Sequence, residues 1–311
     1  MTAAAAGDGR GGPAGGELEA DAARVAAFRA RAGLPALIDA HVHFMPERLL
    51  AAVQAYFDAG GPLVGRPWPI AYRQGEDERV AVLRGLGVRA FTAMLYPHKP
   101  GMARSLNDWA AGFAARVPEC VHTATFFAEP SAEADVRRAV GQGARVFKCH
   151  LQVGAFDPND PVLDAAWGLL AEAAIPVVTH CGSGPVAGRY TGPGPVAALL
   201  ARHPRLRLVI AHLGMPEYAQ FLDLAEQYQG VLLDTTLAFT PWVAGFGDGY
   251  RFPAAGLPRL AALGDRVLLG TDFPNMPHSY AVALESLERA GLGPAWLRAV
   301  CHDNAAALFG I

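Results

Sequence analysis

Four times in this chain an apolar run stops at a side chain able to bind a metal or move a proton: ALIDAHVHF reaches His41 and His43, IPVVTH His180, LVIAH His212 and RVLLGTD Asp272. Short continuous apolar runs are what strands buried on both faces look like, and such strands tolerate a polar group at the end more readily than in the middle. Between the runs lie Ala- and Leu-rich stretches with helical spacing, so strand and helix alternate from about residue 36 onward. Strands are expected over 37–44, 88–95, 121–127, 144–150, 175–180, 206–212, 231–236 and 266–272. Helices are expected over 47–58, 76–86, 105–116, 133–141, 162–174, 195–203, 218–229, 257–263, 279–290 and 294–308.

Eight strands favour a closed (β/α)8 TIM barrel, an α/β fold that takes about 250 residues, over an open doubly wound sheet. The 311 residues then divide into an Ala/Gly-rich tail over 1–16, read as disordered, and one barrel domain over 17–311 closed by C-terminal helices. The tail has neither the charged start nor the apolar stretch of a secretory signal. The polar residues support the barrel, because six strands end or nearly end in a functional type: His41 with His43, Thr123 with His122, Lys148 with His150, His180, His212 and Asp272. In a barrel all strand C-termini meet at one mouth, whereas an open sheet spreads them along an edge.

Composition narrows the partners. With 52% hydrophobic and 18% charged residues the chain can bury a large core. A formal charge of −3 without a basic block argues against nucleic acid, and no run of about 18 apolar residues offers a membrane span. Cys120, Cys149, Cys181 and Cys301 form no CxxC pair and read as small buried apolar residues, which points to the reducing cytoplasm. The expected partner is a small-molecule substrate; a homo-oligomer is compatible with the same composition.

Residues two apart on a strand share a face, so Asp39, His41 and His43 are expected on one side, where two imidazoles can bind one metal ion. Asp272, beside Leu268 and Leu269, is costly to bury unless a metal ion or an imidazolium pairs with it; a helix N-cap is the plainer alternative.

An HxH on the first strand, histidines on the fifth and sixth and an aspartate on the eighth resemble the amidohydrolase superfamily. The likeness is greatest to its amidohydrolase-related branch, which includes aminocarboxymuconate-semialdehyde decarboxylase and several metal-dependent hydrolases. The closing CHDNAAALFG is similar to that branch's terminal NA-x-x-LF helix. The resemblance implies a deformed (β/α)8 barrel with a divalent metal at its C-terminal mouth. It also implies roles: His41, His43 and His180 as ligands, Asp272 as a ligand that also contacts the metal-bound water, and His212 as a proton-transferring residue. Imidazole and carboxylate ligands with an open position suit Zn2+ best, with Mn2+ and Fe2+ as alternatives.

Lys148, with His150 on its own face, has three readings: a carboxylated lysine bridging two metals, an ammonium that binds a substrate carboxylate or pairs with Asp272 or Asp39, and a structural salt bridge. One metal is the expectation. Arg189, Tyr190 and Trp242 lie in long loops after the fifth and seventh strands and are pocket candidates with Lys148 and His150. The leading function is a metal-dependent hydrolase in which activated water attacks a C–N or C–O bond. The alternatives are a non-oxidative decarboxylase on the same barrel, which a nearby lysine or arginine would favour, and a barrel without enzymatic activity.

Overall fold

The computed structural model describes residues 15–311. The strands are β1 Leu37–Asp39, β2 Val88–Thr92, β3 Cys120–Val121, β4 Thr123–Thr125, β5 Val146–His150, β6 Val177–His180, β7 Leu208–Ile210, β8 Val231–Asp234 and β9 Val267–Leu268. β3 and β4 are one strand interrupted at His122, which makes eight positions around the barrel. All pairs are parallel between chain neighbours, β1-β2-β3 in one sheet and β4-β5-β6-β7-β8-β9 in the other. Between the last strand and the first the regular ladder gives way to single backbone bonds beyond the strand ends. Ala40 N donates to Leu269 O at 2.8 Å, Asp272 N to His41 O at 2.9 Å and His43 N to Phe273 O at 2.7 Å.

The inside of the barrel confirms the count. One apolar cluster takes a residue from every position: Ile38, Ala90, Val121, Val146, Val178, Val209, Leu232 and Leu268. Ala305 and Phe309 of the closing helix belong to the same cluster, so NAAALF plugs the end of the barrel opposite the mouth. Because strand side chains alternate, Val146 in this plug puts Lys148 and then His150 on the same inward face, one layer higher each time. Val178 does the same for His180, and Leu232 for Asp234.

Around the strands run α1 Gly15–Arg31, α2 Glu47–Asp58, α3 Glu76–Gly85, α4 Ala103–Arg116, α5 Ala132–Gly141, the short α6 Leu151–Gly154 and α7 Asp164–Glu172. They continue as α8 Pro193–Arg202, α9 Tyr218–Gln227, α10 Leu257–Ala262, α11 Tyr280–Glu288, α12 Pro294–Arg298 and α13 Asn304–Phe309. Of the tail expected over 1–16, only Gly15 and Gly16 fall within the described residues, and they open α1. This helix packs on α11 through Asp21, Val25 and Phe28, an i, i+4, i+7 stripe. The buried Asp21 carboxylate accepts from Tyr280 N at 3.0 Å, Ala281 N at 2.9 Å and Tyr72 OH at 2.6 Å. It thereby caps the otherwise unsatisfied start of α11 from elsewhere in the chain.

The strands are shorter than their apolar runs. The run over 37–44 pairs regularly only to Asp39, and the run over 266–272 only across Val267–Leu268. Beyond them the pleat is lost: His212, Leu213 and Asp272 have φ of 57°, 53° and 70°, a left-handed conformation that ends a strand. The face shared by Asp39, His41 and His43 is therefore not formed. Ile38 and Ala40 point into the barrel, while Asp39 accepts from Thr271 Oγ1 at 2.5 Å and Tyr280 OH at 2.9 Å among the outer elements. All four cysteines are free, and Cys149, Cys181 and Cys301 are buried. Among the described residues no helix is long and apolar enough to cross a membrane.

Candidate metal centre and active site

His41 and His43 leave the irregular chain after β1, and Asp272 the irregular chain after β9, so the seam between first and last strands brings the three together. Their ligand atoms lie within 4.8 Å of one another. His43 Nε2 is 2.9 Å and His41 Nε2 3.8 Å from Asp272 Oδ1. Each imidazole is turned by its other nitrogen: His41 Nδ1 donates to Asp234 Oδ2 at 2.8 Å, and His43 Nδ1 to Met94 O at 3.0 Å. Carboxylate and carbonyl oxygens only accept, so both rings carry the proton on Nδ1 and present an Nε2 lone pair inward, the tautomer of metal-ligating histidine.

This arrangement fits a cation. In a neutral His43 the 2.9 Å approach to Asp272 sets a lone pair against a carboxylate oxygen, a repulsion that a positive ion between them would turn into two bonds. On His41 a cation already faces the lone pair, since Lys148 Nζ stands 3.3 Å from Nε2. Burial, and then the Lys148 charge, lower the His41 pKa to about 4 and keep the ring neutral. Burial opposes ionisation of Asp272, but the hydrogen bond from His43 and the charges of His43 and His41, in the states in which those rings are protonated, hold its carboxyl well below the usual carboxylate range; against neutral rings a metal cation in their place would act in the same sense.

Asp234 is the functional residue that sequence reasoning missed. Fully buried, it orients His41 through Oδ2, while Oδ1 accepts from His212 N at 2.9 Å and Thr236 N at 3.1 Å. Burial works against its charge, and the His41 proton it accepts overcomes this and keeps it ionised. The signal was in VLLD, the same apolar run ending in an aspartate that singles out Asp272.

His150, His180 and His212 crowd one end of the cavity. The His212 ring makes no hydrogen bond and its Nδ1 is buried without a partner. It lies 5.1 Å from His41 and 4.8 Å from His180, centroid to centroid. Burial, then the nearby His41, lower its pKa to about 4. His180 is not among the three converging ligand groups; its Nε2 donates to Gly184 O at 3.2 Å, leaving Nδ1 as the atom open to a metal. His150 stacks on His180 at 4.1 Å and accepts from Val153 N, and Tyr96 lies against His43 and His150. Lys148 is buried, which lowers its pKa to about 8 against the pull of Asp234 and Asp272. It forms no ion pair with Asp39 or Asp272.

These groups open into a cavity of about 420 Å3. His41, His43, Lys148, His150, His180, His212 and Asp272 all line it. Arg189, Tyr190 and Trp242 do not. The loop after β6 turns outward, leaving Arg189 exposed with its guanidinium over the Tyr190 ring at 5.1 Å. Trp242 packs behind the wall against Trp68 at 5.5 Å. Trp68 and Phe246 hold the wall instead, with Tyr56 and Phe57 from α2.

A family model described as Amidohydrolase matches residues 38–311, all of the barrel from β1 onward. No protein of curated function matches the chain. Among solved structures, an uncharacterised TIM-barrel protein from Bordetella bronchiseptica is 19% identical, with a TM-score of 0.67 over 88% of this chain and 98% of that one. A proposed 2-pyrone-4,6-dicarboxylic acid hydrolase from Pseudomonas putida is 20% identical, with a TM-score of 0.62 over 88% and 97%. A 5-carboxyvanillate decarboxylase from Novosphingobium aromaticivorans, complexed with manganese and 4-hydroxy-3-methoxy-5-nitrobenzoic acid, is 14% identical, with a TM-score of 0.61 over 91% and 97%. At these identities the likeness is one of fold.

Proposed function

The chain belongs to the amidohydrolase family, and on that premise we propose that it is a metal-dependent hydrolase in which activated water attacks a C–N or C–O bond of a small organic substrate. The observation that carries the proposal is the convergence of two Nδ1-anchored imidazoles and an ionised carboxylate beside a histidine whose ring has no hydrogen bond. His41 and His43 would hold one divalent cation through Nε2 and Asp272 through Oδ1, with His180 as a further imidazole at the same end. When bound, the cation acidifies water towards neutrality and polarises a carbonyl oxygen. The donor set favours Zn2+; Mn2+, present in the Novosphingobium decarboxylase, suits it as the alternative.

Asp272 accepts the proton of the attacking water, and His212, a neutral imidazole with no other hydrogen bond, takes that proton on and passes it to the leaving atom, so both groups return to their starting states. Asp234 positions both histidines, since one carboxylate fixes the ring of His41 and the backbone of His212. Lys148 is an ammonium facing the anionic or carbonyl end of the substrate. The four free cysteines support a reducing, cytoplasmic setting.

Loss of carbon dioxide from a carboxylate substrate is the second reading, favoured by one observation: Lys148, the sole lysine or arginine in the described wall, stands at the cavity's polar end. Metal analysis together with a screen of esters, lactones, amides and aromatic carboxylates, with carbon dioxide followed separately, decides between them. Metal-dependent turnover of an ester, lactone or amide without carbon dioxide supports hydrolysis, and carbon dioxide release from a carboxylate overturns it.

A further inference from the structure

The cavity is strongly polarised along its length. Its ionisable groups gather at the end where the strands finish, and away from that end the wall is built by α2 and the segment that follows it. Leu49, Val53, Tyr56 and Phe57 fall at i, i+4, i+7 and i+8 of α2, one face of the helix, and all four line the cavity. Leu50 is the one α2 residue buried in the core. The apolar stripe that on an ordinary outer helix would pack on the barrel here faces the cavity. Trp68 continues this wall, its ring 5.7 Å from that of Phe57, and Phe246 stacks on Trp68 with ring centroids 6.0 Å apart.

The polar tips of these aromatic residues are engaged with the backbone. Tyr56 OH accepts from Leu63 N at 2.7 Å, and Trp68 Nε1 donates to Asn275 O at 2.7 Å. Beyond their rings they offer the cavity at most the one neutral O–H of Tyr56, and no charge. Lys148, at the polar end, is the sole lysine or arginine in the wall, and the one ionisable imidazole outside that end, His98, is exposed at the rim. A second carboxylate carried on a substrate would be desolvated against alkyl and aryl groups with no cation to meet it, which is heavily penalised.

We infer that the substrate has one compact polar head, with no more than one anionic group, joined to an uncharged alkyl or aryl tail that lies along the α2 stripe and against Trp68. This rests on the hydrolase reading for the chemistry at the head, whereas the tail site is a property of the wall alone. Burial of each further methylene strengthens binding about fourfold until the cavity is filled.

Monocarboxylates, the acids that hydrolysis of an ester or amide releases, are suitable probes. Equilibrium binding of butanoate through octanoate and of the α,ω-dicarboxylates of equal length is measured by titration calorimetry on the metal-loaded full chain, in which no turnover is needed. The expected result is an affinity that climbs about fourfold per methylene among the monocarboxylates, with each dicarboxylate at least about tenfold weaker than its monocarboxylate. Val53→Asp, which puts a charge into the stripe, should flatten the climb; should that variant not fold, Val53→Ala, which only shortens the side chain, should reduce it. Dicarboxylates that bind as tightly as monocarboxylates, or a wild-type affinity indifferent to chain length, overturn the inference even if an ester screen finds hydrolysis. A steep climb in a protein that hydrolyses nothing leaves the tail site standing and removes the hydrolase reading.

Discussion

Replacing Asp234 by Asn tests whether a residue that need not touch the metal sets the metal site. The carboxylate has two tasks. Oδ1 accepts from His212 N at 2.9 Å and Thr236 N at 3.1 Å, and Oδ2 accepts from His41 Nδ1 at 2.8 Å. An asparagine can keep the first task with its carbonyl oxygen, but its amide then turns an N–H towards His41. The imidazole can take that bond only as an acceptor on Nδ1, which moves its proton to Nε2, the atom that must offer a lone pair to the metal. Metal affinity should therefore fall about 10-fold to 100-fold, the cost usual for a lost orienting partner. The stability cost is confined to one hydrogen bond to a charged group, about 1.5–3 kcal/mol. For a chain of this size that is a melting temperature lower by about 3–12 °C. Competition with a chromogenic chelator gives the affinity, and circular dichroism melts confirm that the variant folds. A folded variant that binds metal within about twofold of wild type would refute the reasoning, because it would mean that His41 does not depend on Asp234 for its tautomer.

Three further outcomes are expected. His43→Ala should lose the metal while keeping a cooperative melt, since the residue lies beyond the regular part of β1; full metal content by elemental analysis would remove His43 from the ligand set. His212→Asn should keep its metal and lose about 10²-fold to 10⁴-fold in rate, and a metal-depleted variant would make His212 a ligand. With the metal chelated, stability should decline as pH falls from about 6.5 to about 4, because His41 and His212, at about 4 when folded against an unperturbed 6.5, stay neutral while the unfolded chain takes up protons. Above that window neither ring contributes a slope; denaturant titrations that are flat across it, or as steep in His212→Asn as in wild type, would contradict the assignment.

Much of the site was legible because buried strands admit few polar residues, so His180, His212 and Asp272 stood out against the apolar runs they close. Asp234 was hidden by the same rule. The segment over 231–236 reads as one strand running on to Thr236, and an aspartate inside a strand does not announce itself as its end; regular pairing in fact stops there. The alternation that grouped Asp39 with the two histidines failed because the pleat stops at Asp39, and a period of two says nothing past the last regular pair. Loop residues were chosen by topological position, which does not tell which way a loop turns, and so Arg189 and Tyr190 fell outside the cavity. The bounds of α2 agree with the expected 47–58, but that its apolar face looks into the cavity follows from tertiary placement and not from spacing.

The seam between β9 and β1 has a consequence for the order of events during synthesis. His41 and His43 leave the ribosome among the first residues of the barrel, whereas Asp272 emerges some two hundred and thirty positions later. The plug residues Ala305 and Phe309 and the α11 start that Asp21 caps come later still. A nascent chain thus carries two of the three proposed ligands before the third exists, held next to a missing wall. The proposed donors His41, His43 and Asp272 stand together only once the last strand lies beside the first, so a complete metal site has to await closure of the barrel at the end of the chain's assembly.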